Sequence, residues 1–391
     1  MTERREFDVA VIGVGGIGSG AVYWAAKRAG AGVLGLERFE LGHERGASQD
    51  HSRIIRLSYH RPDYVRFAQD SYAAWAELES DAGEEVVIRT GGLDLYPESA
   101  YGWMDDYSNA LEEVGIGYEW LDAAETMRRY PQWRLTDDVR VMFQEATGIA
   151  AAARANGAHR RVAGELGATI LGGQHVTSVT ELGGVYEIAT ASGDTWRAER
   201  VIVTADAWTN EVLANFDAHI NLDVTQEQVA YYASADQPSV QPDRFPTWIW
   251  MGQPSFYGLP AYGEAGPKTG WDAGGPIVTG DSRTFVADPA YTAALDDFMR
   301  QHLPGAFGPH ITVKTCLYTM TPDRDFVIDH VPGQDRAVVG QGAAHAFKFA
   351  SVFGKSLVEL VFDGKTESDV SAWNINRDIL TMENPPRSMT M

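Results

Sequence analysis

Short runs of apolar residues alternate with longer stretches of helical periodicity in the first hundred residues. The largely apolar runs Phe7–Ile12 and Val33–Leu36 are typical of buried strands. An Ala-rich stretch between them, Ser19–Ala29, predicts a helix. A second helix is predicted over Asp63–Glu79, where large apolar side chains recur near one face. Gly91–Tyr96 predicts a strand with which a different structural unit begins. This alternation favours an α/β fold.

The pattern changes further along the chain. Ile149–Leu166 predicts another Ala-rich helix. Three short strands are predicted after it, at Val176–Val179, Val185–Ala189 and Val201–Thr204. Between Leu222 and Thr312 the composition shifts towards Trp, Tyr, Gly and Pro, which suits a substrate cavity better than a parallel sheet. A last strand, Ala337–Val339, leads through a glycine-rich turn into a predicted helix at Phe347–Phe362.

These elements predict two interleaved domains. A Rossmann-like dinucleotide domain is assembled from residues 1–89, 149–220 and 321–391. An α+β substrate domain with a mixed or antiparallel sheet is inserted twice, at residues 90–148 and 221–320. A length of 391 residues is sufficient for two such cores.

Charge excludes several classes of partner. The formal net charge of -22 repels phosphate backbones and anionic lipids, which argues against nucleic-acid and membrane-surface binding. No run of eighteen or more apolar residues predicts a transmembrane helix, and Met1–Glu6 lacks the apolar segment of a signal peptide. We therefore expect a soluble, cytoplasmic protein.

The first strand runs into a glycine turn, Gly13–Gly18, and then directly into a helix. In a dinucleotide site Gly13 makes the tight turn, Gly15 admits the pyrophosphate and Gly18 allows the helix to pack on the strand. The helix N-terminus offers free N–H groups to phosphate. Glu37 ends the next strand about twenty residues later, where an acidic side chain accepts hydrogen bonds from ribose hydroxyls.

Cysteine occurs once, at position 316. A single thiol excludes an intramolecular disulfide and a Cys-rich metal site, and no metal is predicted. The remaining roles are a buried apolar side chain, a catalytic nucleophile or a covalent anchor.

Several motifs in a fixed order carry a family resemblance. The chain resembles the monomeric sarcosine oxidase and N-methyltryptophan oxidase family of FAD enzymes, which also includes pipecolate oxidases and fructosyl amino acid oxidases. The matched segments are Gly13–Gly18 with Glu37, Gly46–Arg56, Tyr257–Lys268, Cys316–Thr319, Asp325–Asp329 and His345–Phe349.

The resemblance implies FAD linked covalently through Cys316. It places Lys268 beside the reactive flavin nitrogen, where a cation promotes oxygen reduction, and Arg53 against the flavin ring. Arg56 and Lys348 match the pair that binds the substrate carboxylate. His345, Tyr257 and Tyr318 match residues around substrate and flavin. Further cofactor contacts are expected at Gly16, Arg38, Ser48, Gly342 and Lys348.

Three positions depart from the sarcosine branch. Gln49 and Asp272 stand where that branch has histidines, and Asp206 replaces a small residue. An acid at the position of Asp272 resembles the fructosyl amino acid oxidases, where a carboxylate binds the sugar-derived part of the substrate. If Asp272 faces the cavity it needs donors, which polyol hydroxyls or a protonated amine could supply; the alternative is a carboxylate in solvent or paired with a nearby cation.

We expect an FAD-dependent, monomeric oxidase of secondary amines or N-substituted amino acids that reduces O2 to H2O2. One alternative substrate class is the fructosyl amino acids. Two alternatives of another kind are a nicotinamide-dependent dehydrogenase, based on the glycine turn alone, and a flavin subunit that passes electrons to a partner protein. The first leaves Cys316 and Lys268 unexplained, and the second lacks an iron–sulfur cysteine pattern.

Overall fold

The structure, a computed structural model, describes residues 5–388. The predicted start of the chain and the outer ends of the predicted segments 1–89 and 321–391 thus lie partly outside the described residues. Within residues 5–388 the α-helices are α1 (Gly16–Ala29), α2 (Pro62–Ala82), α3 (Met104–Val114), α4 (Ala123–Arg129), α5 (Ala152–Glu165), α6 (Thr209–Leu213), α7 (Pro289–His302) and α8 (Ala350–Asp363).

The strands of the same part of the chain form four sheets. They are β1 (Glu6–Phe7), β2 (Val9–Ile12), β3 (Val33–Leu36), β4 (Arg53–Ile55), β5 (Val87–Arg89), β6 (Gly92–Tyr96), β7 (Glu119–Asp122), β8 (Arg140–Gln144), β9 (Gly148–Ala150), β10 (Thr169–Leu171), β11 (Val176–Leu182), β12 (Val185–Thr190), β13 (Thr195–Ala198), β14 (Val201–Val203), β15 (Asp223–Tyr232), β16 (Thr247–Trp250), β17 (Phe256–Leu259), β18 (Lys268–Trp271), β19 (Ile277–Val278), β20 (His310–Met320), β21 (Val327–His330) and β22 (Ala337–Gln341).

The sheet that carries the glycine turn has six strands in the order β10-β3-β2-β14-β22-β21. Its pairs are parallel except for β21 with β22. Every residue of β2, β14 and β22 is buried, because helices cover a parallel sheet on its faces. Helix α1 packs against both α5 and α8. The predicted Rossmann-like α/β class is confirmed.

The second large sheet has nine strands, in the order β19-β15-β18-β17-β16-β6-β8-β7 with β20 also paired to β15. Its pairs are antiparallel except for β16 with β6. The long β15–β20 ladder places Cys316 opposite Glu227 and Tyr318 opposite Thr225. All strands of this sheet come from residues 92–144 and 223–320. The domain boundaries stay a prediction.

Two small sheets complete the fold. Strands β1, β13, β12 and β11 form one, and β4, β9 and β5 form the other. In the second, β9 pairs with β4 on one side and β5 on the other. The helix predicted from Ile149 therefore begins only at Ala152, because residues 148–150 are held as a strand. No helix among residues 5–388 has both the length and the apolar character needed to cross a membrane.

Candidate active site

The glycine turn joins β2 to α1 with close backbone contacts. Gly13 has φ of +89°, a conformation that side chains rarely adopt. A Cβ atom on Gly18 would lie 1.8 Å from the Gly13 carbonyl oxygen, so only glycine allows the helix to come this close. Gly16 N–H donates to Ser48 Oγ at 2.8 Å. The turn therefore has the tight form that a pyrophosphate group requires.

Glu37 lies at the end of β3, beside this turn. It accepts hydrogen bonds from the backbone N–H groups of Val14 at 2.8 Å and Phe39 at 3.1 Å, and from His43 Nε2 at 3.1 Å. Burial opposes ionisation, but these hydrogen bonds outweigh it and lower the pKa of Glu37. Arg38, which follows, pairs with Glu211 and Asp281 at the surface. The carboxylate is thus charged and fixed, as a ribose acceptor must be.

Two cavities adjoin the glycine turn. The first contains Glu37, Arg38 and Gln49 in its wall, and the second contains Arg53, Gly342 and Lys348. Five residues line both: Gly15, Ala47, Ser48, Thr204 and Asp206. An elongated dinucleotide would fit this arrangement: Glu37 in the first cavity would hold the ribose, Gly15 in the shared wall would approach the pyrophosphate, and the second cavity would hold the flavin.

Asp206 in the shared wall has one carboxylate oxygen without a partner among the described residues. Its Oδ2 atom is buried and has no hydrogen-bond partner in the described part of the chain. Burial raises the pKa of Asp206 to about 6. The residue also has φ of +48°. A buried acceptor in the wall of a dinucleotide cavity suits a hydroxyl group of the cofactor.

The second cavity has a strongly cationic wall. Arg56 is 2% exposed and lies 3.4 Å from Asp94 Oδ1. Lys348 is also buried and forms no ion pair within the described residues. Burial and then the Arg56 guanidinium lower the pKa of Lys348 well below its ordinary value. Arg56 carries the fixed positive charge here, and Lys348 can take up a proton when an anion enters, so the wall is suited to an anion.

The remaining predicted substrate and catalytic side chains of this cavity surround the same space. Tyr318 OH donates to Tyr257 OH at 3.3 Å. His345 Nε2 is 2.9 Å from the Arg324 carbonyl oxygen, and its Nδ1 has no partner among residues 5–388. Burial, followed by Lys348 and Arg324, lowers the pKa of His345 well below its ordinary value. The imidazole is therefore neutral, and a neutral ring that donates through Nε2 accepts through Nδ1.

Asp272 lines the second cavity but is already paired. Its two carboxylate oxygens lie 2.7 Å from Arg324 Nη1 and 3.1 Å from Arg324 Nη2. The side chains of Asp272 and Arg324 are 8% and 2% exposed. A bidentate pair of this kind supplies the donors that the buried carboxylate needs. Of the alternatives for Asp272, pairing with a nearby cation is the one present in the structure.

Lys268 and Arg53 lie next to each other near the start of β4. Arg53 donates to the carbonyl oxygens of Ser52, Ala47 and Gln49, each at 2.8 Å. Lys268 Nζ donates to the Ser52 carbonyl oxygen at 2.9 Å and to Asp50 Oδ2 at 2.6 Å. Lys268 lines neither cavity, whereas Asp50 lines the first. The sequence contained no signal that Asp50 would meet Lys268.

Cys316 lies on β20 between the walls of the two cavities. Lys314 lines the first cavity, and Leu317 and Tyr318 line the second. Burial raises the pKa of the Cys316 thiol to about 11. Arg283 holds this strand by donating to Thr315 Oγ1 at 3.1 Å. Sequence reasoning did not identify Arg283.

Gln49 lies apart from the predicted substrate residues. Its Nε2 donates to the Thr315 carbonyl oxygen at 3.1 Å, and it lines the first cavity rather than the second. Its buried Oε1 has no partner in the described part of the chain. The structure therefore brings together Arg56, Lys348, His345, Tyr257, Tyr318 and Asp272, but not Gln49.

Comparison with known proteins agrees with this geometry. The family model DAO, described as FAD dependent oxidoreductase, matches residues 8–360. A monomeric sarcosine oxidase of Bacillus sp. (strain NS-129) is 30% identical over 382 residues, which cover 96% of this chain and 98% of that protein. An N-methyl-L-tryptophan oxidase of Escherichia coli is 28% identical over 379 residues, covering 95% of this chain and 99% of that protein.

Among solved structures, the open form of NikD, an unusual amino acid oxidase essential for nikkomycin biosynthesis, superimposes with a TM-score of 0.83 at 25% identity and covers 99% of both chains. The chain belongs to the DAO family of FAD-dependent oxidoreductases, and FAD is its cofactor.

Proposed function

We propose that this FAD-dependent oxidoreductase is an oxidase of N-methyl or other N-substituted amino acids. The secondary amine loses a hydride from the carbon next to nitrogen and a proton from nitrogen, and the resulting imine is hydrolysed by water. FAD, when bound, takes up the hydride and passes both electrons to O2, which leaves as H2O2. The observation that carries the proposal is the cationic wall of the second cavity.

Arg56 and Lys348 would bind the substrate carboxylate. The guanidinium can engage both carboxylate oxygens, and the ammonium adds a point charge. Asp94, at 3.4 Å from Arg56, neutralises only part of this charge. Because the wall is buried, an anionic substrate group gains more from these cations than it would at the surface. Binding that group also favours the protonated form of Lys348.

His345 would accept a hydrogen bond from the N–H group of the substrate amine. Hydride loss requires the neutral amine, because a protonated nitrogen has no lone pair to form the imine. The Nδ1 atom of His345 is an unpaired acceptor in the same cavity. The neutral ring can therefore accept a hydrogen bond from the amine N–H and hold the lone pair towards the reacting carbon. Tyr257 and Tyr318 line the same space and exclude water.

Lys268 would act in the oxygen half-reaction. O2 acquires negative charge as it is reduced, and a fixed buried cation stabilises that charge. A Lys268→Met variant should therefore slow flavin reoxidation by on the order of a hundred-fold or more, while flavin reduction by substrate changes far less. Stopped-flow absorbance measures both phases, and unchanged reoxidation would exclude this role.

Cys316 would anchor the flavin covalently. The position of its strand between the two cavities, beside Leu317 and Tyr318 of the second, supports this proposal. Acid precipitation should leave the yellow colour in the protein pellet, and Cys316→Ser should release it to the supernatant. Free flavin from the unmodified protein would contradict the linkage. We further propose a monomer, as the name of the Bacillus relative suggests; a cytoplasmic location stays a prediction.

A substrate panel tests the proposal as a whole. Sarcosine, N-methyltryptophan, pipecolate and fructosyl-glycine should be compared for H2O2 release, with an artificial electron acceptor under nitrogen as a parallel assay. Turnover of an N-methyl amino acid with peroxide release supports the proposal. Activity only with the acceptor would identify an electron-transferring dehydrogenase instead. Asp272 is already paired with Arg324 and does not need the hydroxyl groups of a polyol as donors, so fructosyl amino acids are the less favoured class.

A further inference from the structure

Three donors converge on the carboxylate of Asp50. Lys268 Nζ lies 2.6 Å and Tyr231 OH 2.7 Å from Oδ2, and Lys314 Nζ lies 3.2 Å from Oδ1. The side chain of Asp50 is 6% exposed and that of Lys268 is 3% exposed. Asp50 also has φ of +80°, a conformation that only a few residue types other than glycine adopt readily. The local backbone is therefore held in an uncommon form in which this carboxylate meets the buried lysine.

A buried ammonium without an anion next to it gives up its proton, because burial penalises the charged form. The pKa of Lys268 is lowered to about 8: burial is the largest cause, Arg53 acts in the same direction, and Asp50 is the strongest influence that raises it. The other groups near Lys268 are Cys316 and the ring of Tyr231, 5.8 Å from Nζ. Lys314 shares Asp50 and is itself paired with Glu264 at 2.8 Å. Asp50 is thus the anion on which the charge of Lys268 depends.

We propose that Asp50 is a positioning residue that fixes the Lys268 ammonium and keeps it protonated at neutral pH for the reduction of O2. The inference rests on the proposed oxidase function, and it adds a residue that acts only through the lysine. In that reaction O2 takes two electrons and one proton from the reduced cofactor and one proton from solvent, and leaves as H2O2. Lys268 keeps its own proton and supplies positive charge.

The negative charge of Asp50 does not cancel this effect. Arg53, Lys268 and Lys314 bring three positive charges around one buried carboxylate, and the next acid, Glu264, is at the outer side of Lys314. This cluster of three cations and the Asp50 carboxylate keeps a net positive charge while Lys268 is protonated. Loss of Asp50 removes one negative charge but also takes the proton, and with it the positive charge, from Lys268, which leaves Arg53 and Lys314 as the charged cations of the group.

The test is the pH dependence of flavin reoxidation in the holoenzyme. The enzyme is reduced anaerobically with its best substrate and mixed with oxygenated buffer between pH 6 and pH 10 in a stopped-flow instrument. In the unmodified protein the reoxidation rate should be high at low pH and fall as Lys268 loses its proton. In Asp50→Asn the midpoint of this fall should move to lower pH by about one unit or more, the size expected for loss of an adjacent opposite charge.

Asparagine adopts positive φ readily, so Asp50→Asn keeps the backbone form. If that variant does not fold, Asp50→Gly removes the same carboxylate and suits φ of +80° without strain. Glu264→Gln is the matched control, because it removes an acid that contacts only the outer side of the cluster, and we expect it to move the midpoint by less than about 0.3 pH units.

An unchanged midpoint in Asp50→Asn or Asp50→Gly would overturn the inference, as would a slower rate at every pH with no shift. Lys268→Met, measured in the same way, separates this failure from failure of the proposed function. If Lys268→Met reoxidises slowly and the Asp50 variants keep the original midpoint, only the role of Asp50 is wrong. If Lys268→Met reoxidises at the original rate, the role of the lysine is wrong, and that of Asp50 with it.

Discussion

The Asp272–Arg324 pair predicts a large loss of stability when one partner is removed. Both side chains are almost fully buried, and both carboxylate oxygens are used. Asp272→Asn leaves the Arg324 guanidinium buried without its counter-charge, and breaking a buried pair in this way costs about 3–5 kcal/mol. The unfolding entropy is about 2.1 cal/mol/K per residue, so 391 residues give about 0.8 kcal/mol/K. The melting temperature should therefore fall by about 4–6 °C.

The assay is calorimetry of the holoenzyme, with an exposed pair as the matched control. Glu119 pairs with Arg129 at 2.7 Å, and the two side chains are 48% and 31% exposed. Glu119→Gln should lower the melting temperature far less than Asp272→Asn does, because water replaces the lost interaction. A double variant, Asp272→Asn with Arg324→Met, should recover much of the loss, since no buried charge then remains unpaired.

Two results would refute this reasoning. The first is a fall in melting temperature for Asp272→Asn no larger than that of Glu119→Gln. The second is a double variant that is less stable than Asp272→Asn alone. Unchanged stability together with much weaker turnover would instead assign Asp272 to the substrate, as in the polyol interpretation of the sequence.

Two further predictions concern the dinucleotide site. The pKa of Asp206 is raised from 3.8 to about 6, so the native protein binds the proton more tightly than the unfolded chain does. The protein therefore loses stability as the pH rises from about 4 to 6. Asp206→Asn removes this loss, and it should stabilise the protein more at pH 8 than at pH 4, by on the order of 2–3 kcal/mol. If Asp206→Asn changed the melting temperature equally at pH 4 and pH 8, the burial of the Asp206 carboxylate would be contradicted. Gly18→Ala should abolish the incorporation of FAD, which is measured by flavin absorbance. The control is Gly157→Ala in α5, where the added methyl group meets nothing within 4 Å, and this variant should retain FAD. Full flavin content in Gly18→Ala would show that the turn can open.

Local sequence was sufficient for the parts of the fold that depend on neighbouring residues. The strand, glycine turn and helix at Gly13–Gly18 were predicted because the spacing of the glycines is a local signal, and the contact of Gly18 with Gly13 lies within the same unit. The α/β class and the boundaries of Val33–Leu36 follow from apolar runs in the same way. The predicted helix at Ile149–Leu166 was wrong in its first turn, because pairing with two distant strands decides that Gly148–Ala150 is extended.

The residues of the candidate site could be predicted only at positions that belong to a family motif. Seven of the nine predicted catalytic and substrate residues, including Arg56 and Lys348, lie in the wall of one cavity, although their roles stay predictions. Asp50 and Lys268 are 218 positions apart in the sequence, and Asp272 and Arg324 are 52 apart. No periodicity or spacing connects such pairs, because the sheets bring them together only after the chain folds. The partner that sets the charge of each group was therefore missed.

The acidity of the whole chain and the cationic cavity act over different distances. A net charge of -22 repels an anionic substrate in solution, but salt screens surface charges beyond about 8–10 Å. The side chains of Arg56 and Lys348 lie inside, where screening is weak. Long-range attraction therefore does not bring a carboxylate to this protein. Under the proposed function, selection takes place after the substrate enters the cavity, where the position of its carboxylate would also decide which carbon faces the flavin.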